Sequence, residues 1–384
     1  MEQFLFTLPK SYEDLRADAA LLAKAVAPYA PEADESDVVH PATRKAFVDS
    51  GLSKLMVPGE YGGRFRTVDS LAVTVTREVL AGTSSHVDSL FAMQGIGSYA
   101  LSVAGHPAVQ AQWLPAVGRG DALAALALTE PHVGSDLKAI TTTITESDGH
   151  LEVRGHKSFI TNAGDADFYS VLGREGDGFS LVLVPAASAG VLVRKPDQII
   201  APHVLGDVIF QDVRVPVENR IGQPGQAFKL ALATLATFRV SVAGAAVGVA
   251  QAALETALAH TLERRQFSRP LYELGAVSQS LSRSWVDIEM ARSLTYRAAA
   301  AASRDPLGNL DLSSMAKVGA TEVCGQVVDR AVQVMGRFGL VRGSAIERLY
   351  RAARPMRIYE GSTEALLDAL ARRLAKKSQS EVTR

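Results

Sequence analysis

The stretch RIYEGSTE, residues 357–364, holds the residues best placed to do chemistry. Its carboxylate, Glu360, precedes Gly361 and a helix-like run over 363–376. Glycine permits close backbone approach and positive φ, and Ser362 or the threonine after it can cap the helix. A partly desolvated carboxylate has a pKa above the solution value of about 4.3. Such a group can remove a weakly acidic proton.

The same stretch also allows a simpler interpretation. The neighbours expected to desolvate Glu360 are Met356, Ile358 and Tyr359. Glu360 could instead form an ordinary surface ion pair with Arg354 or Arg357 at the start of a helix. On this stretch alone the ion pair is favoured, so the choice depends on the rest of the chain.

The elements around this stretch fall into three blocks. Apolar residues recur at helical spacing from Tyr12 to about Gly120. Short, branched segments separated by turns then predict strands at TTTIT, LEVRG, FSLVLVP, GVLVR and VIFQDVRVP. Long helices are predicted over 227–263, 276–303, 312–335 and 363–377, and their short connections favour an antiparallel bundle. We therefore predict a mainly α protein with an N-terminal helical domain (1–121), a middle, barrel-like β-domain (122–227) and a C-terminal four-helix bundle (228–384).

Composition excludes several classes of protein. The 384 residues are 47% hydrophobic and 21% charged, as in a globular protein of more than one sub-domain. Forty basic and 41 acidic side chains give a net charge of -1, which does not favour nucleic acid or an anionic membrane. The N-terminus MEQFLFTLPK does not resemble a signal peptide, and no apolar run is expected to reach the roughly 18 residues of a membrane span. We expect a cytoplasmic protein.

Metal and disulfide chemistry are also not expected. Cys324 is the single cysteine and lies in an apolar helix-like run, so we interpret it as a buried structural thiol. The eight histidines show no metal-ligand spacing, and GxGxxG after a strand, GxxxxGK[ST], HExxH and CxxC are all missing from the sequence.

Two motifs lie within the predicted β-domain. LALTEPHVGSD, residues 126–136, offers the hydroxyls of Thr129 and Ser135 and a glycine turn whose N–H groups can meet an anionic oxygen. GHKSFITNAG, residues 155–164, puts Phe159 beside Thr161 on a strand, which suits a planar ring with a polar edge. An ordinary capped loop and an ordinary strand-end turn explain the same two patterns.

Two further motifs lie in the helical bundle. ERRQFSRPL, residues 263–271, groups Arg264, Arg265 and Arg269, whose guanidinium groups match phosphates. QVMGRFG, residues 333–339, leaves a helix through glycines and could receive a pyrophosphate. Cations that stabilise a helix C-terminus and an ordinary C-cap are the alternatives.

Together and in this order, the motifs resemble one family, the acyl-CoA dehydrogenase superfamily of flavoproteins. LALTEPHVGSD is similar to its TEPxxGSD segment, GHKSFITNAG to GxKxxITNA, ERRQFSRPL to RxQFGxPL and RIYEGSTE to IYEGT. The resemblance extends from about Tyr12 to Arg373 and includes the helix–sheet–helix order. It implies FAD as the cofactor and a homo-oligomer, usually a homotetramer.

The resemblance assigns FAD contacts to several positions of the β-domain. Leu128 and Thr129 would face the edge of the flavin ring, and Ser135 the pyrophosphate. Phe159 would lie beside the isoalloxazine, where many members carry tryptophan, and Thr161 would reach flavin N5.

Further FAD contacts would come from the bundle. Arg264 and Phe267 would contact the adenine side of a FAD bound by a neighbouring subunit. Gln333 and Gly336 would complete that site across the interface, and Ser362 is also assigned to cofactor binding.

For the reaction, the resemblance implies that Glu360 removes the α-proton of an acyl thioester while a β-hydride passes to flavin N5. Some relatives carry the base just before an arginine of the first bundle helix. That arginine matches Arg239, but its predecessor here is Phe238, so Glu360 has no rival. Arg239 is assigned to orienting the substrate or the helix, and electron-transfer flavoprotein is the implied acceptor.

Three alternatives remain for the function. The thioester could be carried by an acyl carrier protein in a biosynthetic pathway, which a basic patch at the tunnel mouth would favour. The same fold also supports flavin oxidases and monooxygenases, and a non-catalytic helical binding protein is the remaining class. Departures from the family motifs occur at Ser268, Arg337, Ala352 and Ser362.

Overall fold

The computed structural model describes residues 8–195 and 198–382, with side chains described up to residue 379. Most of MEQFLFTLPK, for which no signal peptide is predicted, lies outside these residues. Helices form the first block: α1 Lys10–Val26, α2 Ala30–Ala33, α3 Pro41–Ser50, α4 Ser70–Thr83, α5 Ser85–Ala104 and α6 Pro107–Arg119. Asp69 caps α4 by accepting hydrogen bonds from the N–H groups of Leu71 (2.8 Å) and Ala72 (3.0 Å).

A mixed β-sheet follows the helices. Its strands are β1 Ala124–Ala127, β2 Thr143–Ser147, β3 His150–Thr161, β4 Phe168–Glu175, β5 Gly178–Pro185, β6 Val191–Arg194, β7 Leu205–Pro216 and β8 Arg220–Ile221. The order is β6-β7-β3-β2-β4-β5-β8, with β1 parallel to β4. Each predicted strand overlaps one of these.

The sequence did not reveal strand β4. It is buried on both faces: Phe168 and Leu172 pack in one apolar cluster with α6, whereas Tyr169 and Val171 pack in the cluster between the strands. A strand buried on both faces lacks the apolar–polar alternation on which strand prediction depends.

One glutamine joins the first helical block to the sheet. The amide of Gln94, fully buried on α5, donates to the carbonyl of Ala122 (2.9 Å) and accepts from the N–H of Ala124 (3.1 Å). These bonds place the start of β1 against α5. They therefore also help to fix the position of the segment that follows β1.

Long helices form the last block. They are α7 Ala227–Glu263, α8 Gly275–Ala302, α9 Leu310–Met335, the short α10 Ala345–Ala353, and α11 Thr363–Val382. A hairpin of β9 Arg265–Gln266 and β10 Arg269–Pro270 follows α7. The four predicted helices are confirmed, and α10 was missed because only Ile346 and Ala353 in it are buried.

Two glycines let α7 pack tightly on α4. A Cβ at Gly244 would lie 2.6 Å from the carbonyl oxygen of Thr74, and one at Gly248 would lie 1.8 Å from that of Glu78. The alanine- and glycine-rich face of α7 therefore meets the backbone of α4 directly, which joins the first and last blocks through one apolar core.

Helix α7 also corrects one expectation. Its most apolar window has a mean hydropathy of 1.7 and is long enough for a membrane span by length and composition alone, so the expectation that no run reaches that length is wrong. Because 83% of the window is buried inside the protein, α7 has the features of a core helix.

Candidate active site

The turn that carries Glu360 has an unusual backbone. It lies between a short 3-10 helix, Pro355–Arg357, and α11. Glu360 has a φ of 52°, in the left-handed region that non-glycine residues rarely adopt, and Gly361 has a φ of 100°. Ser362 caps α11, since its Oγ accepts a hydrogen bond from the N–H of Ala365 at 3.3 Å. Strained backbone of this kind is concentrated at functional sites.

The carboxylate of Glu360 does not have the ion pair that the simpler interpretation required. Arg357 pairs with Glu322 at 2.9 Å, and Arg354 is exposed. The Oε2 atom of Glu360 is buried and has no hydrogen-bond partner among the described residues. A buried acceptor without a partner is rare in proteins and calls for a functional explanation.

Two helices of the bundle hold the backbone of this turn. Arg239 on α7 donates from Nε to the carbonyl oxygen of Glu360 at 3.1 Å, and its Nη1 donates to Ser314 at 3.1 Å. Lys317 on α9 donates from Nζ to the carbonyl oxygen of Gly361 at 2.7 Å. The turn is therefore fixed by contacts to its main chain, which leave the Glu360 side chain available.

Burial raises the pKa of Glu360, and the positive charges of Arg77, Arg239 and Lys317 oppose that rise. The prediction of a raised pKa is confirmed, but one of its expected causes is wrong. Ile358 is 59% exposed and does not bury the carboxylate, whereas Met356 is 3% exposed. A carboxylate with a raised pKa is a stronger base than a solvated one and can accept a weakly acidic proton.

The sequence analysis missed the charged groups beneath Glu360. Arg77 on α4 and Asp88 on α5 form a bidentate ion pair (2.8 and 2.7 Å) in which both side chains are buried, and Arg77 also donates to Ser241 at 3.0 Å. Lys317 is the other missed group. Its position on the alanine-rich face of α9 could have indicated from the sequence that this lysine is buried.

Phe238, the residue before Arg239, belongs to the core. Its ring is 1% exposed and packs edge-on against Tyr99, with 5.7 Å between the ring centroids. This environment agrees with the sequence interpretation that the position holds no base.

On the β-domain, a bulge presents Phe159. The β3–β7 register shifts between Lys157 and Ile160, and Phe159 has a φ of 54° and a 58% exposed side chain. The Oγ of Ser158 and the Oδ1 of Asn162 are buried without a hydrogen-bond partner among the described residues. An exposed aromatic ring beside unsatisfied polar atoms suits a planar ligand with a polar edge.

The other predicted residues of this face lie around the bulge. Leu128 and Thr129 follow β1 and are half-buried, as is Thr161 at the end of β3. The N–H of Ser158 donates to the carbonyl of Thr129 at 3.0 Å, which brings the two motifs side by side. Ser135 is exposed on the loop that follows.

A buried ion pair, not foreseen from the sequence, ties the same two motifs together. Lys157 and Glu130 are 0% and 3% exposed and 3.0 Å apart, and Lys157 also donates to the carbonyl of Leu128 at 2.9 Å. Burial opposes ionisation of Glu130, but hydrogen bonds from Thr142, Thr141 and Lys157 outweigh it and lower the pKa of Glu130 to about 2. Burial lowers the pKa of Lys157 to about 8.

The remaining predicted residues lie at the far end of α7 and α9. Arg264 and Phe267 belong to the exposed hairpin after α7, and Phe267 is 85% exposed. Gln333 and Gly336, at the end of α9, are exposed. The hairpin after α7 and the end of α9 meet at the ring of Phe338. Phe338 contacts the guanidinium groups of Arg264 and Arg337 and the ring of His260.

Ser268 shows the physical meaning of one departure from the family motif. It stands where the RxQFGxPL pattern has glycine, and its φ is 65°. Glycine adopts this conformation without strain, so the hairpin here is formed at a small energetic cost.

A carboxylate with a buried, unpartnered oxygen on a helical bundle, together with a β-domain face that suits a planar ligand, fits an oxidoreductase built around a ring cofactor. Models of the acyl-CoA dehydrogenase N-terminal, middle and C-terminal domains match residues 11–121, 125–213 and 225–375. The chain belongs to the acyl-CoA dehydrogenase family. It is therefore an oxidoreductase of a flavoprotein family that acts on the CH–CH bond of acyl thioesters, as the sequence predicted.

Individual relatives agree with the domain matches. The chain is 32% identical over 368 residues to the probable acyl-CoA dehydrogenase FadE25 of Mycobacterium tuberculosis, with 94% of each chain covered. It is 32% identical over 387 residues to the mitochondrial short-chain specific acyl-CoA dehydrogenase of Sus scrofa, covering 97% of this chain and 92% of the relative.

Solved structures show the same architecture. Butyryl-CoA dehydrogenase from Megasphaera elsdenii superposes with a TM-score of 0.91 at 28% identity, covering 96% of this chain and 99% of that one. A glutaryl-coenzyme A dehydrogenase–glutaryl-CoA complex superposes with a TM-score of 0.90 at 27% identity, covering 95% of both chains. The predicted fold class is confirmed.

Proposed function

We propose that this chain catalyses the FAD-dependent α,β-dehydrogenation of an acyl-CoA, with Glu360 as the base. The observation that carries the proposal is the buried Oε2 of Glu360, which has no hydrogen-bond partner among the described residues and lies on a turn held in a left-handed conformation. A carboxylate held in this way is free to accept a proton from a substrate.

In the proposed reaction, the carboxylate of Glu360 takes the α-proton, the C–H electrons form the Cα=Cβ bond, and a hydride leaves Cβ. Bound FAD supplies the acceptor for that hydride. Arg239 keeps the base in place through the Glu360 carbonyl. Burial makes the carboxylate a stronger base than it is in water, because the pKa of Glu360 is raised.

The residues of the β-domain fit FAD, on the evidence of the unpartnered Ser158 Oγ and Asn162 Oδ1 and the exposed Phe159 ring. We assign the flavin half to the residues around this bulge. They are Leu128, Thr129, Ser135, Phe159 and Thr161, with Ser362 on the bundle. The adenosine half of a neighbouring subunit's FAD is assigned to Arg264, Phe267, Gln333 and Gly336.

We propose that the acyl group is carried by CoA, and a cleft near the base is consistent with this proposal. It has a volume of about 790 Å³, reaches Arg239, and lies between the start of α9 and α11. Helix α11 lines it with Arg372, Arg373, Lys376 and Lys377. Arg372 and Arg373 are 76% and 47% exposed, and they pair with Asp368 and Asp311 of the same cleft. Concave sites of about 300–1,000 Å³ bind small molecules, and the similar proteins are named for CoA esters, so we favour CoA over a carrier protein.

Three further assignments complete the proposal. A homo-oligomer, dimer or tetramer, is supported by exposed apolar side chains on α7 and α8, including Leu262 (50%), Trp285 (62%) and Met290 (61%). Electron-transfer flavoprotein or another acceptor reoxidises the cofactor, by analogy with the family. A cytoplasmic location and the domain boundaries 1–121, 122–227 and 228–384 stay predictions.

The test is an anaerobic titration of the purified yellow protein with a panel of saturated acyl-CoAs, followed by its visible spectrum. We expect one thioester to bleach the wild type, and Glu360→Gln to bind the same thioester without bleaching. Glu364→Gln, which changes an exposed carboxylate four residues away, is the matched control and should bleach normally.

Each other outcome counts against a stated part of the proposal. A yellow protein that acyl-carrier-protein thioesters reduce and CoA esters do not would overturn the assignment of CoA. A Glu360→Gln variant that bleaches as fast as the wild type would remove Glu360 as the base. A colourless protein that does not take up FAD would refute the proposed reaction.

A further inference from the structure

Lys317 is a buried cation that the proposed reaction does not yet use. Its side chain is 0% exposed on α9, and its Nζ donates to the neutral carbonyl oxygen of Gly361 at 2.7 Å. Burying an ammonium group is costly unless the charge is compensated. Among the acidic groups that act on Lys317, the carboxylate of Glu360 has the largest effect. Its Oε2 lies buried without a hydrogen-bond partner among the described residues.

The contact of Lys317 bears on the geometry of the base. Glu360 and Gly361 are consecutive residues in positive-φ conformations (52° and 100°), and non-glycine residues keep such a conformation only when their surroundings hold it. The carbonyl of Glu360 is held by Arg239, and that of Gly361 by Lys317. Both peptide planes are thus fixed by buried cations from two different helices.

We infer that Lys317 is a positioning residue for the base: its hydrogen bond to Gly361 holds the turn that directs Glu360, and its positive charge favours the carboxylate form. The inference rests on the proposed role of Glu360. Lys317 acts through the turn, and it does not itself touch the substrate.

The charges around both groups agree with this role. Arg77 on α4, Arg239 on α7 and Lys317 on α9 lower the pKa of Glu360, whereas burial and Asp88 on α5 raise it. Burial lowers the pKa of Lys317 to about 8, and Arg239 acts in the same direction.

Acidic groups resist the loss of the Lys317 proton. Glu360, Glu322 on α9 and Glu364 on α11 all raise its pKa, although burial outweighs them. Lys317 is therefore charged at pH 7 and loses its proton as the pH rises through about 8. Above that pH the base loses one of the three cations that favour its ionised form.

The experiment uses the flavin-loaded oligomer as purified and compares Lys317→Met, Lys317→Arg and the wild type. For one acyl-CoA, kcat and KM are measured with a dye acceptor from pH 5 to 10. We expect Lys317→Met to lower kcat at least tenfold with KM within about threefold, because binding contacts remain while the base is misdirected. The acid limb of kcat/KM should move to higher pH, and Lys317→Arg should restore it in part.

A second measurement does not depend on activity. Hydrogen–deuterium exchange of peptides that cover residues 356–366 should rise in Lys317→Met, because the turn loses a hydrogen bond. The matched control is Ser313→Ala, on the same helix and 0% exposed, whose Oγ has no hydrogen-bond partner among the described residues. It should change neither the exchange nor the pH profile.

The results separate this inference from the proposed function. If Lys317→Met keeps its pH profile and its exchange pattern, Lys317 has no positioning role, whatever its effect on stability. If exchange rises but Glu360→Gln is fully active, the proposed base is wrong while the support of the turn stands. If Lys317→Met does not fold, Lys317→Arg decides. The guanidinium group of Lys317→Arg stays charged above pH 8. If the activity of the wild type falls above that pH, the fall should therefore occur at a higher pH in Lys317→Arg. A fall at the same pH in both proteins would overturn the inference.

Discussion

The ion pair between Lys157 and Glu130 provides a quantitative test of how the two β-domain motifs are held together. The change is Lys157→Met, which keeps most of the side-chain volume and removes the charge. Breaking a buried pair by removing one partner typically costs about 3–5 kcal/mol. Glu130 keeps four hydrogen bonds from Thr141 and Thr142, so we expect the lower end, about 3 kcal/mol at pH 7.

The pH dependence of this loss has a definite sign. The pKa of Glu130 falls from its unfolded value of about 4.3 to about 2 in the folded protein. Thr141 and Thr142 contribute more to this fall than Lys157 does, and the stabilisation from ionised Glu130 is present above about pH 4.3 and lost as the pH falls towards 2. The difference between wild type and Lys157→Met should therefore be largest near neutral pH and shrink below about pH 4.

The assay is urea unfolding of FAD-saturated protein at fixed concentration, followed by tryptophan fluorescence. Trp113 packs against Phe168 at the start of β4, with 5.0 Å between ring centroids, and so reports on the β-domain. The control is Lys138→Met, which removes an exposed lysine from the same domain and should stay within about 0.5 kcal/mol of the wild type. A Lys157→Met variant equally close to the wild type, or a difference that does not shrink in acid, would refute this reasoning.

Two other predictions concern the helices. Gly248→Ala should lower the free energy of unfolding by roughly 3 kcal/mol, because its Cβ would lie 1.8 Å from the backbone oxygen of Glu78. Gly319→Ala, whose Cβ meets nothing closer than Leu294 at 3.9 Å, should be neutral or stabilising, and equal effects in thermal unfolding would contradict the packing argument. Burial raises the pKa of Cys324 to about 12, so an aromatic disulfide reagent at pH 8 should titrate one thiol per chain only after denaturation. Rapid reaction of the native protein would contradict this burial.

The sequence was sufficient to predict those elements whose conformation depends on residues that are close together in the chain. Helix α7 has the predicted bounds, Ala227–Glu263, because apolar residues recur at helical spacing between a glycine-rich loop and the arginine hairpin. The turn at Glu360 was likewise recognisable from its glycine and its capping serine. In both cases the residues that determine the conformation are neighbours in the chain.

The missed groups depend on contacts between distant segments. Lys317 is 44 residues from the carbonyl that it binds, and Lys157 is 27 residues from Glu130. Arg77 and Asp88 are only 11 residues apart, but they lie on consecutive helices, and whether their side chains meet depends on how α4 and α5 pack. Spacing along the chain says nothing about which way these side chains point, so their partners could not be predicted without an arrangement of the helices in space.

The length of helix α7 limits where residues can be inserted or deleted in chains with this architecture. Its 37 residues make a rod of about 55 Å that carries Arg239 about a third of the way along and ends at the hairpin with Arg264. One inserted residue between these arginines would turn one end by about 100° relative to the other and shift it by about 1.5 Å. Insertions and deletions should therefore be selected against within α7. The connection over 304–309, between α8 and α9, carries no such helical constraint and is where natural length variation is expected to accumulate.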